Sequence, residues 1–147
     1  MTMPRSQRKF IADASSKRIW DFIGEAMFSA LKLEGVRVMD ASNFSAVIRV
    51  RLGPVKMPLS IAGRFIETSP AKSLAATVEA RGLAGIIWLN QRLNITLNPL
   101  DENKTEVNLE VITEGMGNLV KTCLSWRIKS FVNEILGGME RELRQLG

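Results

Sequence analysis

The chain contains no histidine, no tyrosine and a single cysteine, Cys123. Histidine is the usual general acid–base near neutral pH and tyrosine the usual phenol donor, so both common routes for proton transfer are missing. One cysteine without an imidazole forms no activated thiol. Without clustered thiols or imidazoles, zinc and copper lack their ordinary ligands. No catalytic residue and no metal site is therefore expected, and the chain does not read as an enzyme. A lone cysteine also excludes an internal disulfide and suits a reducing compartment. No uncharged apolar run approaches the ~18 residues of a spanning helix. The amino terminus, Met1 to Lys9, is polar and basic with no apolar run behind it, so neither a secretory signal nor a membrane anchor is expected. The expectation is a cytoplasmic protein, with peripheral contact at the inner face of a membrane as its one membrane association. Aromatics make up only 6% of residues. The cations are scattered rather than interleaved with them, so nucleic acid is not an expected partner.

What is present is an ordinary globular composition: 147 residues, 46% apolar and 24% charged. A chain of this length forms one domain, residues 1–147, and buries roughly 70% of the surface its extended form would expose. The net charge of +5 and the pI near 9.8 favour an acidic partner or an anionic surface.

The strongest periodic signal lies at the carboxyl end. From Asn118 to Leu146, Val120, Leu124, Ile128, Phe131, Val132, Ile135, Leu136, Met139, Leu143 and Leu146 recur at three- and four-residue steps. At about 100° per residue they cover an arc of roughly 150°. A stripe that wide predicts a long helix over 117–146, gripped by a curved surface.

Earlier, residues 8–13 read as a first strand and Ser15 or Ser16 as a helix cap, whose oxygen accepts an unpaired backbone N–H. Ile19, Trp20 and Ile23 mark one short helix. Gly24 reads as a break, and Met27, Phe28 and Leu31 mark a second, so two short helices are predicted over 15–32. From Gly35 to Glu114 the apolar period drops to two. Phe44, Ala46, Ile48, Val50 and Leu52 share a face, as do Leu59, Ile61, Gly63 and Phe65. Leu74, Ala76, Val78 and Ala80 follow, then the run Ile87, Leu89, Gln91, Leu93, Ile95 and Leu97, then Thr105, Val107, Leu109, Val111 and Thr113. Such alternation, broken by short turns, predicts an antiparallel meander over 35–114 with one dry face. A dry face needs a cover, and the terminal helix is the one long amphipathic element left. The expected fold is α+β: about seven curved antiparallel strands wrapped around a long C-terminal helix, a helix-grip fold.

Specific residues then carry a resemblance. Val50-Arg51-Leu52-Gly53-Pro54-Val55-Lys56 resembles a glycine-proline turn of the CoxG-like family associated with carbon monoxide dehydrogenase, a branch of the START-like, polyketide-cyclase-like (SRPBCC) superfamily. Ile19-Trp20, Gly63, Ala80 to Gly85, Leu97 to Pro99, Thr105 to Val107 and Gly115 to Leu119 add to it, so that the likeness spans nearly the whole chain. It departs near Cys123-Leu124, where the family has a glycine early in the last helix.

The resemblance implies a START-like fold enclosing an apolar or amphipathic small molecule, and service to a CO dehydrogenase-type molybdenum hydroxylase. The candidate pocket, between sheet and last helix, comprises Met27, Leu31, Phe44, Ile48, Leu59, Phe65, Val78, Leu89, Gln91, Phe131, Ile135 and Met139. Its expected occupant is a non-covalently held lipid or quinone. Gln91 stands out: on a dry face its amide needs a partner, from a ligand carbonyl or from the protein. Gly137 and Gly138 interrupt the helix, either to admit a ligand or to pack on a strand. Glu106, Glu110 and Glu114 fall on the wet face and read as a charge ladder opposite Arg49, Arg64 and Arg92. Trp88 and Trp126, with Arg5, Arg8 and Lys9, are the candidate membrane or partner surface. The leading expectation is a non-catalytic carrier of a hydrophobic small molecule. The alternative is an adaptor docking such an enzyme to a membrane, and a cyclase or hydrolase comes third.

Overall fold

In the computed structural model of the protein, the described residues are 5–31, 34–38, 43–52 and 54–146. Seven strands form one antiparallel sheet: β1 (Arg5–Ala12), β2 (Glu34–Val38), β3 (Asn43–Leu52), β4 (Val55–Ser69), β5 (Ser73–Gly82), β6 (Ile87–Asp101) and β7 (Lys104–Met116). Their order across the sheet is β1-β7-β6-β5-β4-β3-β2, so β2 to β7 meander and β1 adds to the far side of β7. Helix α1 (Ser16–Leu31) follows β1, and helix α2 (Ser125–Arg144) closes the chain. The period-two pattern sets the register. Of the residues that sequence places on the dry face, Phe44, Ala46 and Ile48 of β3 and Val107, Leu109 and Val111 of β7 are buried.

Helix α2 lies in the hollow of this sheet. Val132, Ile135, Leu136, Met139 and Leu143 share one buried cluster with Phe10 of β1, Ile61 of β4, Leu93 and Ile95 of β6 and Leu109 of β7. Burying such side chains stabilises by about 1.5–3 kcal/mol each, which makes this contact the main source of fold stability. Ile19 and Ile23 bring α1 into the same cluster. Arg8 of β1 pairs with Glu140 of α2 at 3.5 Å, and Glu140 also holds Arg144 at 3.2 Å. The Arg144 guanidinium in turn lies 5.3 Å from the centre of the Phe10 ring. These contacts fix the C-terminal half of α2 against β1.

Four sequence expectations are revised. Residues 15–32 form one helix rather than two, with Gly24 inside it. A single glycine costs only ~1 kcal/mol relative to alanine, and the packing of α1 outweighs that. Ser15 is the cap: the Arg18 N–H donates to its Oγ at 3.2 Å. The first strand runs over Arg5–Ala12 rather than 8–13, so Arg5 belongs to the sheet with Arg8 and Lys9. The acidic ladder finds its partners there, with Arg5 3.3 Å from Glu110 and Lys9 3.6 Å from Glu106. Arg92 reaches Glu110 only through Asn94, whose side chain accepts from Arg92 and donates to Glu110. Lastly, the expected helix over 117–146 opens with a π turn, Val120–Leu124, before α2 proper. That wider turn falls on the segment where the family resemblance departs.

Two glycines behave differently. A Cβ on Gly63 would run into the ring of Phe44, which is itself buried. On Gly137 it would sit 3.5 Å from the Arg8 guanidinium, an ordinary contact. Gly63→Ala is therefore expected to lose about 1–3 kcal/mol in urea denaturation. Gly137→Ala should gain up to about 1 kcal/mol from helix propensity.

Candidate ligand site between the sheet and helix α2

The middle of the dry face carries one row of residues in direct register: Phe44 opposite Gly63, Gly63 opposite Val78, Val78 opposite Gln91, and Gln91 opposite Thr113. Phe44 and Thr113, at the ends, are buried, while Val78 and Gln91 between them are half-buried. Gly63 leaves room for the Phe44 ring, which lies 5.8 Å from the ring of Phe65 at 43°. Gln91 donates from Nε2 to Thr113 Oγ1 at a long 3.5 Å. Its Oε1 has no hydrogen-bond partner among the described residues. Along this row Gln91 and Thr113 are the two polar side chains.

Burial along α2 marks where this surface is least filled. Leu136, Met139 and Leu143, in the C-terminal half, are completely enclosed. Ile128 and Phe131, nearer the start, are only partly buried, as are Leu59, Phe65, Val78 and Leu89 on the sheet. Of the candidate pocket residues, Leu59, Phe65, Val78, Leu89, Gln91 and Phe131 therefore fall in the half-buried zone. Phe44, Ile48, Ile135 and Met139 sit in closed core. The side chains of Met27, Leu31 and Trp126 lie outside the described residues.

A second, smaller cluster of Met57, Ile87, Met116 and Val120 adjoins this zone, sharing Leu59, Leu89 and Ile128 with it. The sheet also bears an open groove of about 470 Å³. Most of its lining, including Arg64, Glu79, Asn90 and Glu114, occupies outward-facing positions of the strands. Gly63, Val78 and Gln91 of the row line it as well. Among the described residues no three metal-ligating side chains come together, and no helix is long and apolar enough to cross a membrane.

The surface candidates are placed as follows. Arg5, Arg8 and Lys9 are matched by Glu110, Glu140 and Glu106. Trp88 is 36% exposed. Its indole lies over Gly115 and Gly117, where an added Cβ would come within 3.2 Å and 2.9 Å of the ring. Periodicity did not single out Thr105, a fully buried hydroxyl whose Oγ1 donates to the Ala14 carbonyl at 2.9 Å. Its one proton being committed there, Ser16 Oγ donates to it at 3.1 Å. The signal was present in the sequence as a threonine on a dry face.

No protein-family model matches the chain, and no curated protein matches it. Solved structures do. A conserved protein from Geobacillus kaustophilus superposes with a TM-score of 0.76 at 13% identity, covering 97% of this chain and 96% of its own. A START superfamily protein from Mycobacterium smegmatis gives 0.64 at 11% identity, over 97% and 99% of the two chains. The Zhui aromatase/cyclase from Streptomyces sp. R1128 gives 0.52 at 14% identity, over 99% and 98%. Likeness at this level of identity defines the fold alone: the chain has a START-like helix-grip fold.

Packing along α2 is testable by truncation. Leu136→Ala and Met139→Ala should each cost about 2–5 kcal/mol, as deletions from closed core do. Val78→Ala, in the half-buried zone, should cost about 1 kcal/mol or less by urea denaturation.

Proposed function

We propose that this protein is a non-catalytic carrier that holds a hydrophobic small molecule, lipid- or quinone-like, between its sheet and the N-terminal half of α2. The observation that carries this reading is the uneven burial along α2. Leu136, Met139 and Leu143 are enclosed, while Ile128 and Phe131, just before the buried Val132, and Leu59, Phe65, Val78 and Leu89 of the sheet are partly buried apolar side chains, and Gln91 adds an amide. Ligand sites have that composition: apolar walls with few polar groups that fix orientation. Gln91 would accept from a ligand hydroxyl through Oε1, or donate its second Nε2 hydrogen to a ligand carbonyl, with Thr113 holding the amide in place. Service to a CO dehydrogenase-type molybdenum hydroxylase is the finer part of the proposal. It is supported by the CoxG-like pattern of Val50 to Lys56 and Ala80 to Gly85.

Native mass spectrometry of the purified protein is expected to show a one-to-one adduct, either carried through purification or formed on adding a short-chain quinone or a fatty acid. Val78→Trp, which fills the zone, should reduce uptake at least tenfold while leaving the fold intact by circular dichroism. A protein that never takes up either probe, and yields no lipid on solvent extraction, would refute the carrier reading.

A further inference from the structure

The groove of about 470 Å³ takes none of its lining from the inward neighbours of the central row, which are Ile61 and Phe65 of β4, Ala76 and Ala80 of β5, and Leu89 and Leu93 of β6. It draws instead on outward positions to both sides of that row, so it opens on the face turned away from α2. Register divides those positions into two walls. Asn43, Arg64 and Thr77 stand opposite one another on β3, β4 and β5. Ala62, Glu79 and Asn90 do the same on β4, β5 and β6. Beyond Asn90 the pairing with β7 shifts, which leaves Glu114 as an extra residue between Thr113 and Gly115. A bulge of that kind re-aims a side chain, and bulges gather beside functional sites. Glu114 thereby joins the lining.

The two ends of the groove carry opposite charge. Arg64 stands on β4 and Glu114 on β7, both exposed, and neither has an ion-pair or hydrogen-bond partner among the described residues. Neighbouring charges on the same face are matched: Glu79 by Arg81, and Glu110 by Arg5 and, through Asn94, by Arg92. The acidic end also holds Trp88. A Cβ on Gly115 would meet the Trp88 ring at 3.2 Å and the Asn90 side-chain nitrogen at 4.0 Å, so ring and amide lie side by side there. A carboxylate beside an aromatic ring suits an ammonium group. A guanidinium suits a carboxylate, which its planar fork holds through two hydrogen bonds.

The span between those ends sets the size of a ligand. Strands β4 and β7 are three spacings apart in the sheet, roughly 14 Å at about 4.7–4.9 Å per spacing. Arginine and glutamate side chains extending over the groove shorten that gap. An extended tripeptide covers roughly 10 Å at about 3.3–3.6 Å per residue. Thr77 and Asn90, between the ends, offer a hydroxyl and an amide to its peptide groups.

We infer that this groove is a binding site for a short zwitterionic peptide, its carboxylate held by Arg64 and its ammonium by Glu114 beside Trp88. A neutral sugar would leave both charges without a partner, and a simple anion or cation would meet only one of them. The inference does not depend on the carrier reading, because the groove faces solvent on the side of the sheet away from α2.

Isothermal titration calorimetry of the intact protein with trialanine tests it. Trialanine should bind saturably, one to one. N-acetyl-trialanine, which lacks the ammonium, and trialanine amide, which lacks the carboxylate, should each bind about tenfold more weakly, the scale of one charge-assisted hydrogen bond. Arg64→Gln should lose a similar factor for trialanine and bind the amide as it binds the free peptide. Glu114→Gln should lose as much and treat the acetylated and free peptides alike. Both positions are exposed, so the thermal melts of the two variants should match the wild type. Free alanine, too short to reach both ends, should bind no better than the blocked peptides. No saturable binding of trialanine, equal binding of the blocked peptides, or variants that keep the wild-type preference would overturn the inference. Alanine binding as tightly as trialanine would overturn it equally, since one end of the groove would then suffice.

Discussion

The apolar stripe of α2 and the dry face of the sheet each expose a surface that water cannot satisfy, and each is the other's cover. Val132, Leu136, Met139 and Leu143 share one continuous cluster with residues of β1 and of β3 to β7. The sheet's curvature, the meander and the position of α1 all serve that contact. The Arg8–Glu140–Arg144 chain, half-exposed, adds little energy by comparison. It fixes how far along β1 the helix sits.

The same contact is unequal along its length, and the proposed carrier role rests on that inequality. Where α2 is sealed against β1, β6 and β7, the protein is simply stable. Nearer the π turn Val120–Leu124, Ile128 and Phe131 are only partly buried, and on the sheet Gln91 pairs with Thr113. Such π turns widen a helix locally and often accompany functional sites. One end of α2 thus carries stability, and the other carries the features that suggest recognition.

The sequence made the strands and the closing helix legible because both are amphipathic with a clear period, two for β3 to β7 and 3.6 for α2. Gly63 stood out as a gap in an apolar face, and the structure fills that gap with Phe44. Local signals misled where tertiary contacts override them. Gly24 has weak helix propensity yet sits inside α1, and Arg5 to Gln7 join the first strand because their pairing partners lie a hundred residues away on β7. The site was legible only in part. Periodicity placed Gln91 inward, but its pairing with Thr113 depends on the bulge at Glu114, which no spacing announces. The outer groove was invisible for the same reason.

Native-state hydrogen exchange along α2 probes the account most directly, since amides in sealed and loose segments open with different free energies. The backbone amides of Leu136 to Leu143 should exchange only with global unfolding, and those of Ile128 to Phe131 at least tenfold faster. An added apolar ligand should slow the second group selectively. Uniform protection along the helix, unchanged by ligand, would contradict the uneven packing from which the functional reading is drawn.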